Sequence, residues 1–88
     1  AADWGMIYEA VADDSFAAHV QARAAQLAQG PTAAYGALKQ ALRRGLTNDL
    51  PTQLALEAEL QGRMGQTHDF REGVAAFLEK RPARFTGA

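Results

Sequence analysis

Apolar residues recur at the spacing of an α-helix in four stretches of this chain, and glycine, proline or capping residues separate the stretches. The first stretch predicts a helix over about residues 14–29, which ends at Gly30. Its apolar positions are Phe16, Val20, Ala24, Leu27 and Ala28. The candidate N-caps in front of it are Asp13, Asp14 and Ser15.

The second and third stretches predict two further helices. Pro31 suits the first turn of the second helix, where a missing N–H costs nothing, and Gly45 or Asn48 ends it. The third helix begins around Leu50 and ends at Gly65. The apolar stripes of the two helices are Tyr35, Leu38, Leu42 and Leu46, then Leu54, Leu56, Leu60 and Met64.

A fourth helix follows, with Thr67 or Asp69 as its N-cap. Asp69 and Glu72 have the spacing of a capping box, a reciprocal pair of hydrogen bonds at a helix N-terminus. Pro82 ends the helix, and the tail over residues 83–88 is expected to be extended. The apolar stripe of this helix is Phe70, Val74, Phe77 and Leu78.

The stretch from Trp4 to Val11 has the β-branched and aromatic residues of a strand, with apolar side chains on both faces. No other stretch predicts a strand, so its hydrogen-bonding neighbours are expected in other sequence or in another copy of the chain. The predicted fold is therefore all-α, with four helices preceded by one short β-strand. We also expect the chain to be a segment of a longer protein.

Composition and charge exclude several classes of function. The chain has 88 residues and a formal net charge of −1. It contains no Cys, and this absence excludes disulfide scaffolds, thiolate metal sites and cysteine nucleophiles. A balanced charge lacks the basic stripe of a duplex-binding protein, and no apolar run approaches the roughly 18 residues that span a bilayer. We expect a cytoplasmic protein without nucleic-acid or membrane partners.

The residue types needed for catalysis or metal binding are sparse. Ser15, the only serine, stands where a helix N-cap belongs, and His19 and His68 are far apart in sequence. We therefore predict no catalytic residue and no metal site within the chain. Glu57 lies within the apolar arc of the third helix. Its role there is either that of an acid–base group with a raised pKa or that of a structural carboxylate. We favour the structural role, with a helix N-terminus near Thr67 or an arginine as its partner.

Phe77 and Lys80 are three residues apart near the end of the fourth helix, so a helical backbone projects both side chains from one face. An aromatic ring beside an ammonium group suits an adenine ring with phosphates nearby. Arg81 and Arg84 add positive charge at the same end. The simpler interpretation makes Phe77 a core residue and Lys80 a solvated charge that complements the helix dipole.

The run over residues 69–87, DFREGVAAFLEKRPARFTG, resembles the C-terminal signature of the crotonase (enoyl-CoA hydratase/isomerase) superfamily. Other parts of the chain resemble one branch of this superfamily, the 2-(1,2-epoxy-1,2-dihydrophenyl)acetyl-CoA isomerases of phenylacetate breakdown. These parts are residues 1–7, 30–32 and 54–61, together with Lys39. Pro51 departs from the polar or acidic residue of many relatives, a change that the first turn of a helix tolerates. The resemblance covers this chain but only about the last third of a family member.

The resemblance implies a longer enzyme whose N-terminal core of repeated β-β-α turns holds the reacting groups. In the family, two backbone N–H groups of that core polarise a thioester carbonyl, and an acidic residue moves the proton. None of these groups lies in this chain, so it is expected to be inactive alone. Residues 1–12 are then a remnant strand and linker from the core. Residues 13–88 are a helical region that closes the CoA site and assembles trimers or dimers of trimers.

By the same resemblance, Phe77 and Lys80 match positions that contact the CoA adenine and phosphates, often across a subunit boundary. The implied ligand is a coenzyme A thioester bound as substrate, with no tightly bound cofactor. The implied activity is that of a ring-1,2-epoxyphenylacetyl-CoA isomerase, with an enoyl-CoA hydratase as the alternative. An alternative from a different class is a free-standing helical interaction module, which predicts a well-folded monomer with a closed core.

Overall fold

Four α-helices follow one another in the protein, and the computed structural model describes residues 1–88. No strand is present, so the prediction of an all-α fold with four helices is confirmed. None of the helices combines the length and the apolar character needed to cross a membrane. The helices are α1 (Asp13–Ala28), α2 (Thr32–Gly45), α3 (Leu50–Met64) and α4 (His68–Glu79).

Helices α2 and α3 pack against each other as a hairpin, the most extensive helix–helix contact of the chain. Leu60 of α3 is buried on the side that faces α2. The Gln53 side chain ties the two helices together, because its Nε2 donates to the Ala41 carbonyl (3.0 Å) and its Oε1 accepts from Asn48 Nδ2 (3.1 Å). Asp49 caps the N-terminus of α3, so the hairpin combines apolar burial with side-chain hydrogen bonds within and between its helices.

The hairpin does not extend into a closed core. Only Leu60, Asp69 and Ala76 are buried among the 88 residues, and α1 has no buried residue. The radius of gyration is 16.4 Å, whereas a compact domain of this length would have about 12 Å. The closed core that a free-standing module predicts is therefore absent, and the apolar stripes of α1 and α4 remain largely open.

The predicted strand from Trp4 to Val11 is wrong. Residues 2–8 form turns and bends, in which Met6 N donates to the Ala1 carbonyl (3.1 Å). Gly5 has a φ of +76°, in the left-handed region that favours glycine, and this interrupts an extended backbone. A strand also needs a neighbour for its N–H and C=O groups, and the chain provides none.

Side chains of the N-terminal segment contact α1 instead. The Arg23 guanidinium lies 5.0 Å from the centroid of the Tyr8 ring, a cation–π geometry. The Glu9 carboxylate lies 2.6 Å from His19 Nε2 and 3.4 Å from Arg23 Nη2. The hydrogen bond from His19 lowers the pKa of Glu9. His19 is thus a half-buried partner of Glu9, ten residues away.

The start of α1 has no side-chain cap. Ala12 occupies the N-cap position, so Asp13, Asp14 and Ser15 are wrong as N-caps. The two carboxylates lie in the first turn, where negative charge complements the positive end of the helix dipole. The Ser15 hydroxyl donates to the Ala12 carbonyl (3.3 Å), which leaves no arrangement for an activated nucleophile.

Candidate functional site

The start of α4 is capped by Thr67, one of the two predicted N-caps. Thr67 Oγ1 accepts a hydrogen bond from Phe70 N (3.1 Å). The predicted capping box between Asp69 and Glu72 is wrong, because both carboxylates bind residues of the C-terminal tail instead. We refer to α4 together with residues 80–88 as the α4–tail unit.

Asp69 anchors the last residues of the tail. Its Oδ1 accepts from Thr86 N (2.8 Å), its Oδ2 accepts from Gly87 N (2.7 Å), and Asp69 N donates to the Ala88 carbonyl (2.9 Å). Burial raises the pKa of Asp69, but the amides of Thr86 and Gly87, with a contribution from His68, outweigh it and leave the pKa below its ordinary value. Residues 82–88 form no helix, as expected, and these hydrogen bonds hold them against α4.

The tail also contacts the start of α2. Gly87 has a φ of +83°, and a Cβ atom at this position would lie 2.5 Å from Thr32 Oγ1. Both its backbone conformation and this close approach require a residue without a side chain. The tail thereby links the N-terminal ends of α2 and α4.

An apolar groove of about 430 Å³ lies between the start of α2, the end of α3 and the α4–tail unit. Helix α4 provides one wall, and the folded-back tail contributes the Phe85 ring. The residues that line it include Ala34, Met64, Phe70, Val74, Phe77 and Phe85. The groove can accept apolar or aromatic groups, but it offers few hydrogen-bonding partners.

Phe77 and Lys80, the two predicted ligand-binding residues, lie at the C-terminal end of α4. Phe77 lines the groove and is 82% exposed, so in this structure its ring is not a core residue. Lys80 lies just beyond the helix with a φ of 54°, which turns its side chain away from the direction that a helical residue would give. The three-residue spacing therefore does not by itself set the relative orientation of the two side chains.

The basic residues near the end of α4 differ in whether a carboxylate compensates their charge. Arg81 forms two hydrogen bonds with Glu72, Nη1–Oε2 at 2.7 Å and Nη2–Oε1 at 3.1 Å, and it also contacts Glu79. These carboxylates raise the pKa of Arg81, Glu72 most of all, and compensate its charge. Lys80 and Arg84 form no side-chain ion pair. The positive charge expected from Arg81 is thus not free for a ligand, whereas that of Lys80 is.

The Glu57 residue is exposed, and its carboxylate forms no hydrogen bond or ion pair, in contrast to the Glu59 carboxylate of the same helix, which binds Arg63. The expectation of a buried carboxylate satisfied near Thr67 is therefore wrong, because the arc around Glu57 faces an open groove beside α2 instead of a core. His68 Nδ1 lies 3.2 Å from Asp69 Oδ1 at the start of α4. No three His, Asp or Glu side chains converge in a way that could hold a metal ion.

Sequence reasoning missed the role of Asp69 and Glu72 as tail anchors. Their partners in the tail lie 9 to 18 residues later, beyond the range of helix-periodicity and capping rules. One feature of the sequence could have indicated this contact, namely the extent of the signature over residues 69–87. The signature begins at Asp69 and ends at Gly87, whose amide Asp69 binds. The end of α4 thus places an exposed aromatic ring and an unpaired ammonium group within three residues of each other.

The sequence profile of the family described as enoyl-CoA hydratase/isomerase matches residues 1–88. A protein of Rhodobacter capsulatus named "probable enoyl-CoA hydratase" is 63% identical over 87 residues, covering 99% of this chain and 34% of that protein. The 1,2-epoxyphenylacetyl-CoA isomerase of Escherichia coli is 47% identical over 85 residues, covering 97% of this chain and 32% of that protein. The chain thus spans about a third of the length of the curated relatives it matches.

Solved structures give the same result for the fold. An enoyl-CoA hydratase/isomerase structure from Mycobacterium abscessus matches with a TM-score of 0.91 and 38% identity, covering 99% of this chain and 34% of that one. An enoyl-CoA hydratase structure from Geobacillus kaustophilus matches with a TM-score of 0.86 and 28% identity, covering 99% and 33%. The open arrangement of four helices therefore also occurs within larger folded proteins.

Proposed function

We propose a function for this chain from one premise: the chain belongs to the enoyl-CoA hydratase/isomerase family. It is the helical C-terminal region of a longer enzyme that acts on a coenzyme A thioester. Residues 1–12 connect it to the core that carries the reacting groups, and residues 13–88 close the CoA site. This segment contributes no catalytic residue, so the 88 residues alone are inactive.

Phe77 and Lys80 contact the nucleotide end of the substrate, the ring by stacking on adenine and the ammonium by binding phosphate. The observation that carries this assignment is the left-handed backbone of Lys80, with a φ of 54° at a position that favours glycine. A lysine costs about 1 kcal/mol there relative to glycine. Its side chain forms no ion pair that would compensate this cost. A ligand outside the segment accounts for the lysine.

The open faces of the helices support an oligomeric enzyme. Phe16, Val20 and Leu27 of α1 remain about half exposed, and covering such surface contributes about 25 cal/mol per Å². In the intact enzyme these faces pack on the core and on neighbouring subunits of a trimer or a dimer of trimers. The enzyme acts in the cytoplasm.

The reaction is the isomerisation of ring-1,2-epoxyphenylacetyl-CoA in phenylacetate catabolism. It is supported by the isomerase relative at 47% identity and by the resemblance of residues 54–61 to that branch. The relative at 63% identity favours a second candidate, the hydration of an enoyl-CoA. Incubating the intact protein with each substrate separates the two by mass spectrometry. An isomerase product keeps the substrate's mass, whereas a hydratase product gains one water.

The nucleotide contact is tested by Lys80→Ala in the intact protein. We expect the KM for the acyl-CoA substrate to rise about tenfold, because a charge-assisted contact is lost, while kcat changes less than about twofold, because the contact is remote from the reacting carbon. Lys39→Ala is the matched control, since Lys39 is the other lysine of these 88 residues and lies on α2. A KM unchanged by Lys80→Ala contradicts the proposal.

A further inference from the structure

The turn after α4 has the hydrogen bonds of a Schellman motif, a C-terminal cap in which one residue is left-handed. Arg81 N donates to the Ala76 carbonyl (3.0 Å) and Lys80 N donates to the Phe77 carbonyl (3.3 Å). Glycine is the usual residue at the left-handed position, and Lys80 occupies it here. A backbone in this sparsely populated conformation persists when neighbouring groups hold it.

The Glu72 side chain, two turns upstream on α4, stabilises this left-handed conformation through hydrogen bonds. Its Oε2 accepts from Arg81 Nη1 and from Arg84 N, both at 2.7 Å, and its Oε1 accepts from Arg81 Nη2 at 3.1 Å. The Glu72 side chain is 15% exposed, so water competes little for these hydrogen bonds. A single carboxylate thus fixes the chain immediately after Lys80 and again beyond Pro82.

The hydrogen bond from Arg81, with that from the Arg84 amide, lowers the pKa of Glu72 to about 2. Glu72 is therefore ionised at neutral pH and accepts all three hydrogen bonds. It has no hydrogen bond or ion pair with Lys80 itself, whose ammonium stays free. The Arg81 guanidinium is bound by carboxylates of the chain itself, whereas the Lys80 side chain is exposed.

We infer that Glu72 is a positioning residue for Lys80. Through Arg81 and the Arg84 amide, it holds the left-handed turn and thereby sets the direction of the Lys80 ammonium relative to the Phe77 ring. Its effect on the enzyme is indirect, because it touches the chain around Lys80 and not the ligand. This inference rests on the proposed function, in which Lys80 binds the phosphates of a CoA thioester.

The test uses Glu72→Gln in the intact, oligomeric enzyme, with two substrates that carry the same acyl group. One is the acyl-CoA, and the other is an acyl-pantetheine thioester, which lacks the adenine and the phosphates. We expect Glu72→Gln to raise the KM for the acyl-CoA about three- to tenfold, because the Lys80 turn loses its fixed geometry. The KM for the acyl-pantetheine and both kcat values stay within about twofold.

Two variants give the inference further ways to fail. In the double variant of Glu72→Gln with Lys80→Ala, the KM for the acyl-CoA equals that of Lys80→Ala alone, because the two residues act as one unit. Arg81→Gln breaks the same pair at an exposed residue, and it gives the same substrate-specific effect if Glu72→Gln does not fold. Glu59→Gln is the matched control, since it breaks another glutamate–arginine pair, the one with Arg63 on the exposed surface of α3.

Each outcome decides between the two claims. If Lys80→Ala raises the KM for the acyl-CoA but Glu72→Gln and Arg81→Gln do not, the positioning role is wrong and the proposed function stands. Equal losses with both substrates mean that Glu72 is only structural, which also overturns the inference. If Lys80→Ala itself has no effect, the nucleotide contact is wrong and the inference falls with it.

Discussion

The α2–α3 hairpin and the α4–tail unit are held together by different interactions. The hairpin depends on the burial of Leu60 and on hydrogen bonds of the uncharged Gln53 side chain. The α4–tail unit depends on Asp69 and Glu72, whose carboxylates bind backbone amides 18 and 12 residues later. The first arrangement responds to side-chain volume and the second to ionisation. The second also leaves the end of α4 free to present Lys80.

Removing side-chain volume from the hairpin has the largest expected effect. Leu60→Ala leaves a cavity at the most buried leucine of the chain, which is 5% exposed, and we expect the free energy of unfolding to fall by about 2–4 kcal/mol. Urea unfolding of the 88-residue chain, followed by circular dichroism, measures the change. Leu46→Ala is the control, because Leu46 is 86% exposed and its loss should cost less than about 0.5 kcal/mol. Similar losses for the two variants would show that the hairpin has no packed centre.

Acid has a smaller effect, which is strongest in the α4–tail unit. The lowered pKa values of Asp49 at the start of α3 and of Glu9 beside α1 add smaller effects there. Because the pKa of Glu72 is lowered from 4.5 to about 2, its contribution is present above about pH 4.5 and is lost as the pH falls toward 2. The lowered pKa of Asp69 acts in the same direction. We expect the amide NMR signals of Arg84, Thr86 and Gly87 to move to disordered positions over this range, while those of α2 do not.

The matched variant for this titration is Glu72→Gln, because the glutamine side chain is neutral at every pH of the titration. In it, the Arg84 signal is already displaced at neutral pH, whereas Thr86 and Gly87 still titrate with Asp69. A hairpin that loses its structure over the same pH range as the tail would contradict the distinction between the two regions.

The end of α4 gives the smallest expected effect, and its sign is the informative part. Lys80→Gly should raise the free energy of unfolding by about 1 kcal/mol, because glycine adopts the left-handed conformation without strain. Lys80→Ala removes the same charge but keeps the Cβ atom, so we expect a change within about 0.5 kcal/mol. Thermal unfolding of both variants checks this. A destabilised glycine variant would mean that the lysine side chain serves the fold rather than a ligand.

The helices of both regions could be predicted from the sequence because each one is encoded locally. Apolar spacing and single glycines or prolines marked all four, and Thr67 was correctly among the candidate caps of α4. The same local rules failed where the local signal had no tertiary support. The stretch from Trp4 to Val11 has strand-forming residues but no partner, and Glu57 lies in an apolar arc that no core covers.

The site was predictable only in part, for the same physical reason. Spacing and resemblance pointed to Phe77 and Lys80, but the spacing assumed a helical backbone that ends at Glu79. The compensation of the Arg81 charge by Glu72 joins residues nine apart across a helix end, which no periodicity describes. Carboxylates that bind distant backbone amides leave no pattern in the sequence, since an amide is present at almost every residue.

The most direct measurement is a crystal structure of the intact protein with bound coenzyme A. The distance of interest joins Lys80 Nζ to the nearest phosphate oxygen of the ligand. We expect it to be about 3 Å, with the Phe77 ring stacked on the adenine and the Glu72–Arg81 pair unchanged. A lysine that points into solvent, with the phosphates bound by other residues, would contradict the assignment of Lys80 to the CoA site.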